Sequence, residues 1–318
     1  MPQKYAVDKS FGLWAHFVPP LSRCAIAFAR AFLIVCPKGI GGRGMRAEKL
    51  KIAGRSALLL SPERAQEGRK SEKALPCLVY FHGGGFVFKA APYHYRNAAV
   101  YAVGAGFKVL LIDYRLAPKD AYHASAKDCF AAYLFAAEQA EKYGIDPARI
   151  AVGGDSAGGC LAAETVRRAV LLGKTPSFLF LVYPVLDRRM QTDSMRLFTD
   201  TPVWNARCNR KMWEYTLPAR LGSGTLSPAE FSDLSGFPPV YLETAQFDCL
   251  RDEGVLFAER LRAQGVPVET YRAEGAMHGF DVAGGSPVTR RALARRVAAL
   301  RTAFYKNSEK SFSLPLDK

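Results

Sequence analysis

Short apolar runs alternate along the chain with longer segments in which apolar residues recur every three or four positions. Near-continuous apolar runs are typical of strands buried on both faces of a parallel sheet, and the longer spacing is typical of helices. The alternation predicts an α/β fold with a mostly parallel sheet. The predicted strands are 50–60, 77–81, 108–112, 150–152, 178–182, 240–243 and 268–271, and the predicted helices are 93–104, 123–143, 158–172, 251–264 and 287–306.

Two segments depart from this alternation. Residues 186–236 show no clear strand but contain several methionine and aromatic residues, and a structureless loop of that length is improbable in a compact domain. Residues 1–48 have apolar residues at helical spacing. We expect both to be helical and to form a cap over the carboxyl ends of the strands. The predicted division is a cap from 1–48 and 186–236, a main α/β domain from 49–185 and 237–310, and a tail from 311–318.

The composition is that of a globular protein, with 49% apolar and 23% charged residues. The net charge of +15, from 44 Lys and Arg against 29 Asp and Glu, could attract a nucleic acid or an anionic membrane. The basic residues are spread along the chain without a nucleic-acid-binding motif, so we predict a solvated basic surface and no nucleic-acid partner. The densest basic stretch, 290–301, alternates with apolar residues and predicts a surface helix.

The seven cysteines are an odd number, lie far apart and include no C-x-x-C pair. Both a disulfide framework and a metal site are poorly supported by that pattern. We therefore expect reduced thiols in a cytoplasmic protein with no bound metal.

Residues 25–36 form a strongly apolar run, but Arg30 interrupts it. The run is also too short to span a bilayer. We expect it to be a helix that covers an apolar site, and we expect no association with a membrane. A lipase that works at a membrane surface through this run and the basic charge is the alternative.

A candidate nucleophile lies in the segment 154–159, where Ser156 is placed between glycines. The segment follows a predicted strand and precedes a predicted helix. A G-x-S-x-G sequence at such a turn is typical of an elbow that raises a serine hydroxyl above the sheet. A serine hydroxyl needs a base to take its proton and a third group to orient that base.

Candidate partners follow the last two predicted strands. Among the five histidines, His278 lies in a loop just beyond the last strand, and Asp248 is the first carboxylate after the strand before it. Asp252 falls in the first turn of the next helix, so we assign it a structural role and assign the orientation of His278 to Asp248. The chain order Ser156, Asp248, His278 is the order found in hydrolases of the α/β fold.

A glycine-rich loop, 82–86, directly follows the strand 77–81. Glycines let backbone N–H groups point inward, which suits a loop that stabilises the oxyanion of acyl transfer together with the N–H of Ala157. A phosphate-binding loop is the weaker alternative, because no Lys-Ser or Lys-Thr follows at the required spacing. We expect His82 to brace the loop rather than to transfer protons.

These residues resemble the hormone-sensitive-lipase-like branch of the α/β-hydrolases, which contains many bacterial esterases. The resemblance rests on His82–Phe86, Asp113–Pro118, Gly154–Gly159, Phe247–Asp248 with Leu250–Gly254, and His278–Phe280. It implies an α/β-hydrolase fold with a helical cap, and an esterase for short- to medium-chain acyl esters that needs no cofactor. It also implies a triad of Ser156, Asp248 and His278, oxyanion donors at Gly84, Gly85 and Ala157, and a loop-holding role for Asp155.

Some positions depart from that family pattern. Lys89 and Cys249 stand where a glycine and a proline are common, and residues 122–126 lack the usual prolines. These departures affect the expected shape of the substrate pocket rather than the catalytic residues.

The apolar residues of the cap leave several questions open. Phe86, Trp204 and Trp213 either line an apolar substrate pocket or pack the cap, and the sequence favours neither. A ligand-binding receptor that has lost hydrolysis is an alternative function, but such receptors commonly lack a triad residue. A homodimer is an alternative to a monomer.

Overall fold

The fold is built on one eight-stranded sheet. The computed structural model describes residues 4–36, 44–63, 74–217 and 227–305. The strands are β1 Met45–Ile52, β2 Arg55–Pro62, β3 Leu75–Phe81, β4 Lys108–Ile112, β5 Ile145–Asp155, β6 Phe178–Val182, β7 Val240–Phe247 and β8 Val268–Met277. Their order is β1-β2-β4-β3-β5-β6-β7-β8. Strand β2 pairs antiparallel with both of its neighbours, β1 and β4, and every other pair of neighbouring strands is parallel. The predicted α/β class with a mostly parallel sheet is confirmed.

Helices cover both faces of the sheet. The α-helices are α1 Arg23–Val35, α2 Pro92–Ala105, α3 Tyr122–Glu138, α4 Ala157–Leu171, α5 Asp193–Leu197, α6 Ala206–Thr216, α7 Arg251–Ala263 and α8 Pro287–Phe304. Alternate residues of β3 enter different cores, with Val79 packed beside α3 and α4, and Leu78 packed beside α2 and α8. This two-sided burial explains why the central strands are apolar at nearly every position.

The prediction of one strand over 50–60 was wrong. The segment belongs to an antiparallel hairpin in which β1 and β2 pair from Met45↔Pro62 to Ile52↔Arg55. Ala53 and Gly54 both have positive φ, at 48° and 79°, and form the two-residue turn between the strands. Such turns match the twist of a hairpin, and the single glycine was the only local sign of it.

The described part of 186–236 is helical and contains no strand, with α5, α6 and a 3-10 turn at Pro228–Glu230. Side chains cap both α-helices, because Thr192 Oγ1 accepts a hydrogen bond from the Met195 amide and Asn205 Oδ1 accepts one from the Cys208 amide. The predicted tail, 311–318, lies outside the described residues.

The N-terminal segment and the 186–236 insertion contact each other. The Val203 amide donates to the Phe17 carbonyl at 2.6 Å, and the Tyr215 hydroxyl donates to the Leu21 carbonyl at 2.9 Å. The Tyr5 ring packs edge-on against Phe198 with 5.6 Å between centroids. These contacts support our proposal that the two segments form one cap.

An ion pair joins the two ends of the insertion. The Arg188 guanidinium donates to both Glu230 carboxylate oxygens, at 2.7 and 3.0 Å, and Ser227 donates to Glu230 through its amide and its hydroxyl. Partial burial raises the pKa of Glu230, but the bonds from Arg188 and Ser227 outweigh that effect and hold the pKa at about 2. The ionised carboxylate is therefore the form that stabilises this connection.

Replacing Glu230 with glutamine should lower the free energy of unfolding at pH 7 by about 1–2 kcal/mol, allowing for solvent screening of a partly exposed pair. Because the folded pKa of Glu230 lies below the unfolded value of 4.5, its contribution is present above pH 4.5 and is lost as the pH falls toward 2. In urea unfolding at about pH 3, the difference in unfolding free energy between the wild-type protein and Glu230→Gln should be less than half of its value at pH 7. Glu214→Gln, in an exposed pair with Lys211, is the control with little effect at either pH. If Glu230→Gln lost the same unfolding free energy at both pH values, the ionised carboxylate of Glu230 would not be the stabilising form.

Candidate active site

Ser156 lies in a strained turn between β5 and α4. Its backbone has φ 54° and ψ −120°, a region that residues other than glycine rarely adopt. The Ser156 amide donates to the Val182 carbonyl at 2.9 Å, and the Val185 amide donates to the Ser156 carbonyl at 3.0 Å. The end of β6 therefore holds the serine in a conformation that raises its side chain above the sheet.

The glycines that flank Ser156 are required by close packing. A Cβ atom on Gly154 would lie 2.5 Å from the Gly158 backbone and 2.6 Å from the Phe81 carbonyl oxygen. A Cβ on Gly158 would overlap the same Phe81 oxygen. The turn packs directly against the end of β3, so no larger residue fits at either position.

The structure brings the three predicted catalytic side chains together at the carboxyl ends of the strands. His278 follows β8, and its Nε2 atom lies 2.9 Å from Ser156 Oγ. Its Nδ1 atom lies 2.7 Å from Asp248 Oδ2, beyond the end of β7. All three residues are buried. When Nδ1 carries the proton that binds the carboxylate, the lone pair of Nε2 faces the serine hydroxyl, which is the arrangement of a base beside a nucleophile.

Different hydrogen-bond partners position the two candidate acids, Asp248 and Asp252. Asp248 Oδ1 accepts a hydrogen bond from the Leu250 amide at 2.9 Å, which leaves Oδ2 for His278. Asp252 instead accepts bonds from the Ser194 amide and the Arg251 guanidinium, both at 2.7 Å. This placement supports the predicted structural role of Asp252.

The glycine loop is joined to the turn that holds Ser156, because the Gly83 amide donates to Asp155 Oδ1 at 3.0 Å. Gly84 and Gly85 have φ of 107° and 58°, which favours glycine. Within the described ranges, the amides of Gly84, Gly85 and Ala157 donate no hydrogen bond, whereas the Gly83 amide donates to Asp155 and His94. Three free N–H groups near a nucleophile are what an oxyanion site requires.

A buried polar cluster anchors this loop from below. Asp155 Oδ1 accepts bonds from the Tyr80 hydroxyl at 2.7 Å and from the Gly83 amide at 3.0 Å, and Oδ2 lies 3.2 Å from His94 Nε2. Burial alone raises the pKa of Asp155, but His94 and the bond from Tyr80 outweigh burial and hold the pKa below its ordinary value. The sequence predicts no role for His94, because nothing near it in the chain points to a residue 61 positions away.

His82 has the surroundings of a brace. Its ring stacks on Tyr114 with 4.4 Å between centroids, and its Nδ1 atom lies 2.7 Å from the Gly83 carbonyl oxygen. Burial and the neighbouring His94 lower the pKa of His82 to about 4. The ring is therefore neutral at pH 7, which supports the predicted role in holding the loop.

Tyr183 is a neighbour of His278 that the sequence did not reveal. The two rings meet nearly edge to face with 4.9 Å between centroids. The Tyr183 hydroxyl donates to Asp281 Oδ2 at 2.5 Å, and Asp281 in turn pairs with the buried Arg296. The histidine therefore rests against a tyrosine that a buried ionic cluster holds in place.

The three aromatic residues proposed to line a pocket occupy different positions. The Trp204 ring lies 6.2 Å from the His278 ring, and a Cβ on Gly85 would be 2.5 Å from Trp204 Cη2. Trp204 therefore covers both the histidine and the glycine loop. Phe86 is fully buried, and its ring centroid lies 5.9 Å from that of Trp213. Trp213 therefore packs against the last residue of the loop, Phe86.

No group of His, Cys, Asp or Glu side chains within the described ranges is arranged to hold a metal ion. The seven cysteines all lie within those ranges and are free thiols, and five of them are buried.

Known proteins resemble this chain over most of its length. Residues 78–282 match a family described as alpha/beta hydrolase fold. The chain is 35% identical over 235 residues to Esterase LipI of Mycobacterium tuberculosis, an alignment that covers 72% of this chain and 73% of that protein. It is 36% identical over 238 residues to Carboxylesterase NlhH of the same organism, covering 73% and 75%. The structure of Bacterial Heroin Esterase superposes with a TM-score of 0.80 at 32% identity, covering 94% of this chain and 98% of that one. The chain belongs to the α/β-hydrolase family, in its hormone-sensitive-lipase-like branch of esterases.

Proposed function

We propose that the protein is a serine carboxylesterase that hydrolyses short- to medium-chain acyl esters through Ser156, His278 and Asp248. The observation that carries the proposal is the continuous chain of hydrogen-bond distances from Ser156 Oγ through the imidazole to Asp248, 2.9 and 2.7 Å long. The relatives named carboxylesterase and esterase support the same reaction class. Such an arrangement activates a serine hydroxyl that is otherwise a poor nucleophile.

The reaction begins when an ester carbonyl carbon lies against Ser156 Oγ. His278 Nε2 takes the hydroxyl proton as Oγ forms its bond to the carbonyl carbon, and Asp248 stabilises the imidazolium that results. The carbonyl oxygen becomes an oxyanion, which accepts hydrogen bonds from the free amides of the glycine loop and of Ala157.

The second half of the reaction releases the products. The imidazolium donates its proton to the alcohol oxygen as the bond from the carbonyl carbon to that oxygen breaks, which leaves an acyl-enzyme on Ser156. His278 then takes a proton from water as the water oxygen attacks the acyl carbon. Collapse of that intermediate returns the proton to Ser156 Oγ and frees the carboxylic acid.

Trp204 is the residue that we propose limits the acyl chain. Its ring covers His278 and Gly85, so a smaller side chain at this position should open space directly above the reacting atoms. We expect Trp204→Ala to raise kcat/KM for p-nitrophenyl octanoate relative to p-nitrophenyl butyrate by roughly tenfold. The measurement is a chain-length series of p-nitrophenyl esters, with the corresponding anilides as the amide arm.

The matched control is Trp213→Ala, which removes the same kind of side chain from the packing beside Phe86. We expect this variant to keep the wild-type ranking of chain lengths. An unchanged ranking in Trp204→Ala would show that Trp204 packs the cap instead of limiting the substrate. Faster hydrolysis of the anilides than of the esters by the wild-type protein would contradict the esterase proposal itself.

The cellular setting that we propose is the cytoplasm. All seven cysteines are free in the structure, and burial raises the pKa of thiols such as Cys160 and Cys249, which keeps them protonated and unreactive. The proposed reaction uses water as its second substrate and needs no cofactor.

A further inference from the structure

Large apolar side chains are exposed mainly in one short part of the chain. Eight of the thirteen exposed large apolar residues in the described ranges lie between Leu13 and Val35. Elsewhere such residues occur singly or in adjacent pairs, which is ordinary for a protein surface. The concentration in one segment marks a surface that contacts something apolar.

Helix α1 contributes four of these eight residues: Phe28, Phe32, Ile34 and Val35. Phe28, Phe32 and Val35 follow one another at intervals of four and three residues, so they lie on one face of the helix. Their exposed fractions are 77%, 57% and 77%. Ile26 is the only fully buried residue of the helix. The expectation that this run covers an apolar site therefore needs revision, because most of its apolar side chains point away from the protein.

The opposite side of α1 is fixed to the active-site loop. Arg30 Nε donates to the Val87 carbonyl at 2.7 Å, and its Nη2 donates to the Ala117 carbonyl. Ile26 packs against the same two residues. The polar residue that interrupts the apolar run thus anchors the helix beside the loop that carries Gly84 and Gly85, and leaves the apolar face outward.

The charged side chains of the segment that carries this face are all basic. From Lys9 to Arg46 the sequence contains no aspartate or glutamate, and Lys9, His16 and Arg23 are exposed. A segment with aromatic and aliphatic residues on one helix face and only basic charged residues in its own sequence is typical of segments that lie on anionic lipid.

A second copy of the chain fits this face less well. A symmetric dimer would place the same face of each copy together and would bring the basic residues of both copies close to one another, with no acidic residue in either segment to pair with them. Anionic lipid headgroups offer the missing charge, and acyl chains offer the apolar contact.

We propose that the protein docks reversibly on an anionic lipid surface, with Phe28, Phe32 and Val35 in the acyl boundary and Arg23 among the headgroups. The contact lies on the surface and not across it, since no helix within the described ranges is long and apolar enough to cross a membrane. Docking would hold the glycine loop close to the lipid through Arg30. The inference rests on the exposed face and not on the triad.

The test is co-sedimentation of the full chain with phosphatidylcholine vesicles that contain or lack phosphatidylglycerol. We expect binding to the anionic vesicles at low salt, and weaker binding as salt rises. Phe28→Ser/Phe32→Ser should weaken the partition constant by at least roughly tenfold, because it removes two apolar side chains from the lipid contact. Thermal unfolding of each variant checks that the fold is retained.

The matched control is Leu171→Ser/Leu172→Ser, which replaces two adjacent leucines that are 72% and 60% exposed at the end of α4. Its binding should equal that of the wild-type protein. Three results would overturn the proposal: no binding to anionic vesicles at low salt, equal loss in both double variants, or a dimer in sedimentation velocity that Phe28→Ser/Phe32→Ser dissociates. The last result would identify a second copy as the partner of this face.

Discussion

Replacing Ser156 with alanine should lower kcat for p-nitrophenyl butyrate by about 10⁴- to 10⁶-fold. The change removes the only protein atom that forms a covalent bond to the acyl group in the proposed reaction, while the glycine loop and the pocket stay in place. The remaining rate comes from binding and from the oxyanion donors, so it should still exceed the uncatalysed rate. The assay is initial-rate hydrolysis with purified protein, where the alanine variant also serves as the blank for the chain-length series.

Ser177→Ala is the matched control for that experiment. Ser177 lies just before β6, at the other end of the strand from the active site, and its hydroxyl donates to the Ile150 carbonyl at 2.9 Å. This variant also loses a hydroxyl from a strand end, but it should keep nearly all of the activity. If Ser156→Ala kept more than about a hundredth of the wild-type rate, the nucleophile would have to be another residue.

The parts of the fold that the sequence predicted well are those that depend on local pattern. Strands such as β3 and β6 are buried on both sides, so they are marked by apolar runs that need no knowledge of their neighbours. The turn at Ser156 is also marked locally, because its packing against β3 excludes side chains at Gly154 and Gly158. Asp248 and His278 could be assigned because parallel strands place their carboxyl ends at one edge of a sheet.

The residues that the sequence did not reveal depend on contacts between distant positions. Tyr183 reaches Asp281 across 98 residues, and His94 reaches Asp155 across 61. Nothing in the local sequence of either residue records such a contact. The exposure of a side chain also depends on distant parts of the chain. The apolar run around Phe28 has the same sequence whether its outer face is covered or open to solvent, so the run alone cannot show which is the case.

Arg296 shows how composition alone can mislead. It belongs to the basic stretch 290–301, which predicts a surface helix, and α8 does pack on the sheet as a surface helix. Arg296 itself is fully buried, and its guanidinium binds Glu243 at 2.6 and 2.9 Å and Asp281 at 2.7 and 3.0 Å. The helical spacing of the apolar residues was informative, but it could not show which arginine turns inward to meet two acids.

Replacing Arg296 with methionine should lower the free energy of unfolding by about 3–5 kcal/mol at pH 7. The substitution keeps the apolar stem but leaves two buried carboxyl groups, Glu243 and Asp281, without their cation. Burial raises the pKa of Asp281, and Arg296 outweighs that effect in the wild-type protein and holds the pKa below its ordinary value. Without Arg296, ionised Asp281 has lost its main partner, so the destabilisation should shrink as the pH falls and the acids take up protons. Urea unfolding at two pH values measures both effects.

The neighbouring Arg295→Met is the control, because Arg295 is 53% exposed and pairs with Glu269 at the surface. Arg295→Met should lower the free energy of unfolding by less than about 1 kcal/mol. Adding Glu243→Gln to Arg296→Met should restore part of the stability, since one buried charge no longer needs a partner. Equal losses of unfolding free energy in the two arginine variants would mean that the buried cluster contributes little to stability.

The same cluster holds Tyr183 against His278, so Arg296→Met should also lower kcat in the folded fraction, and Arg295→Met should not.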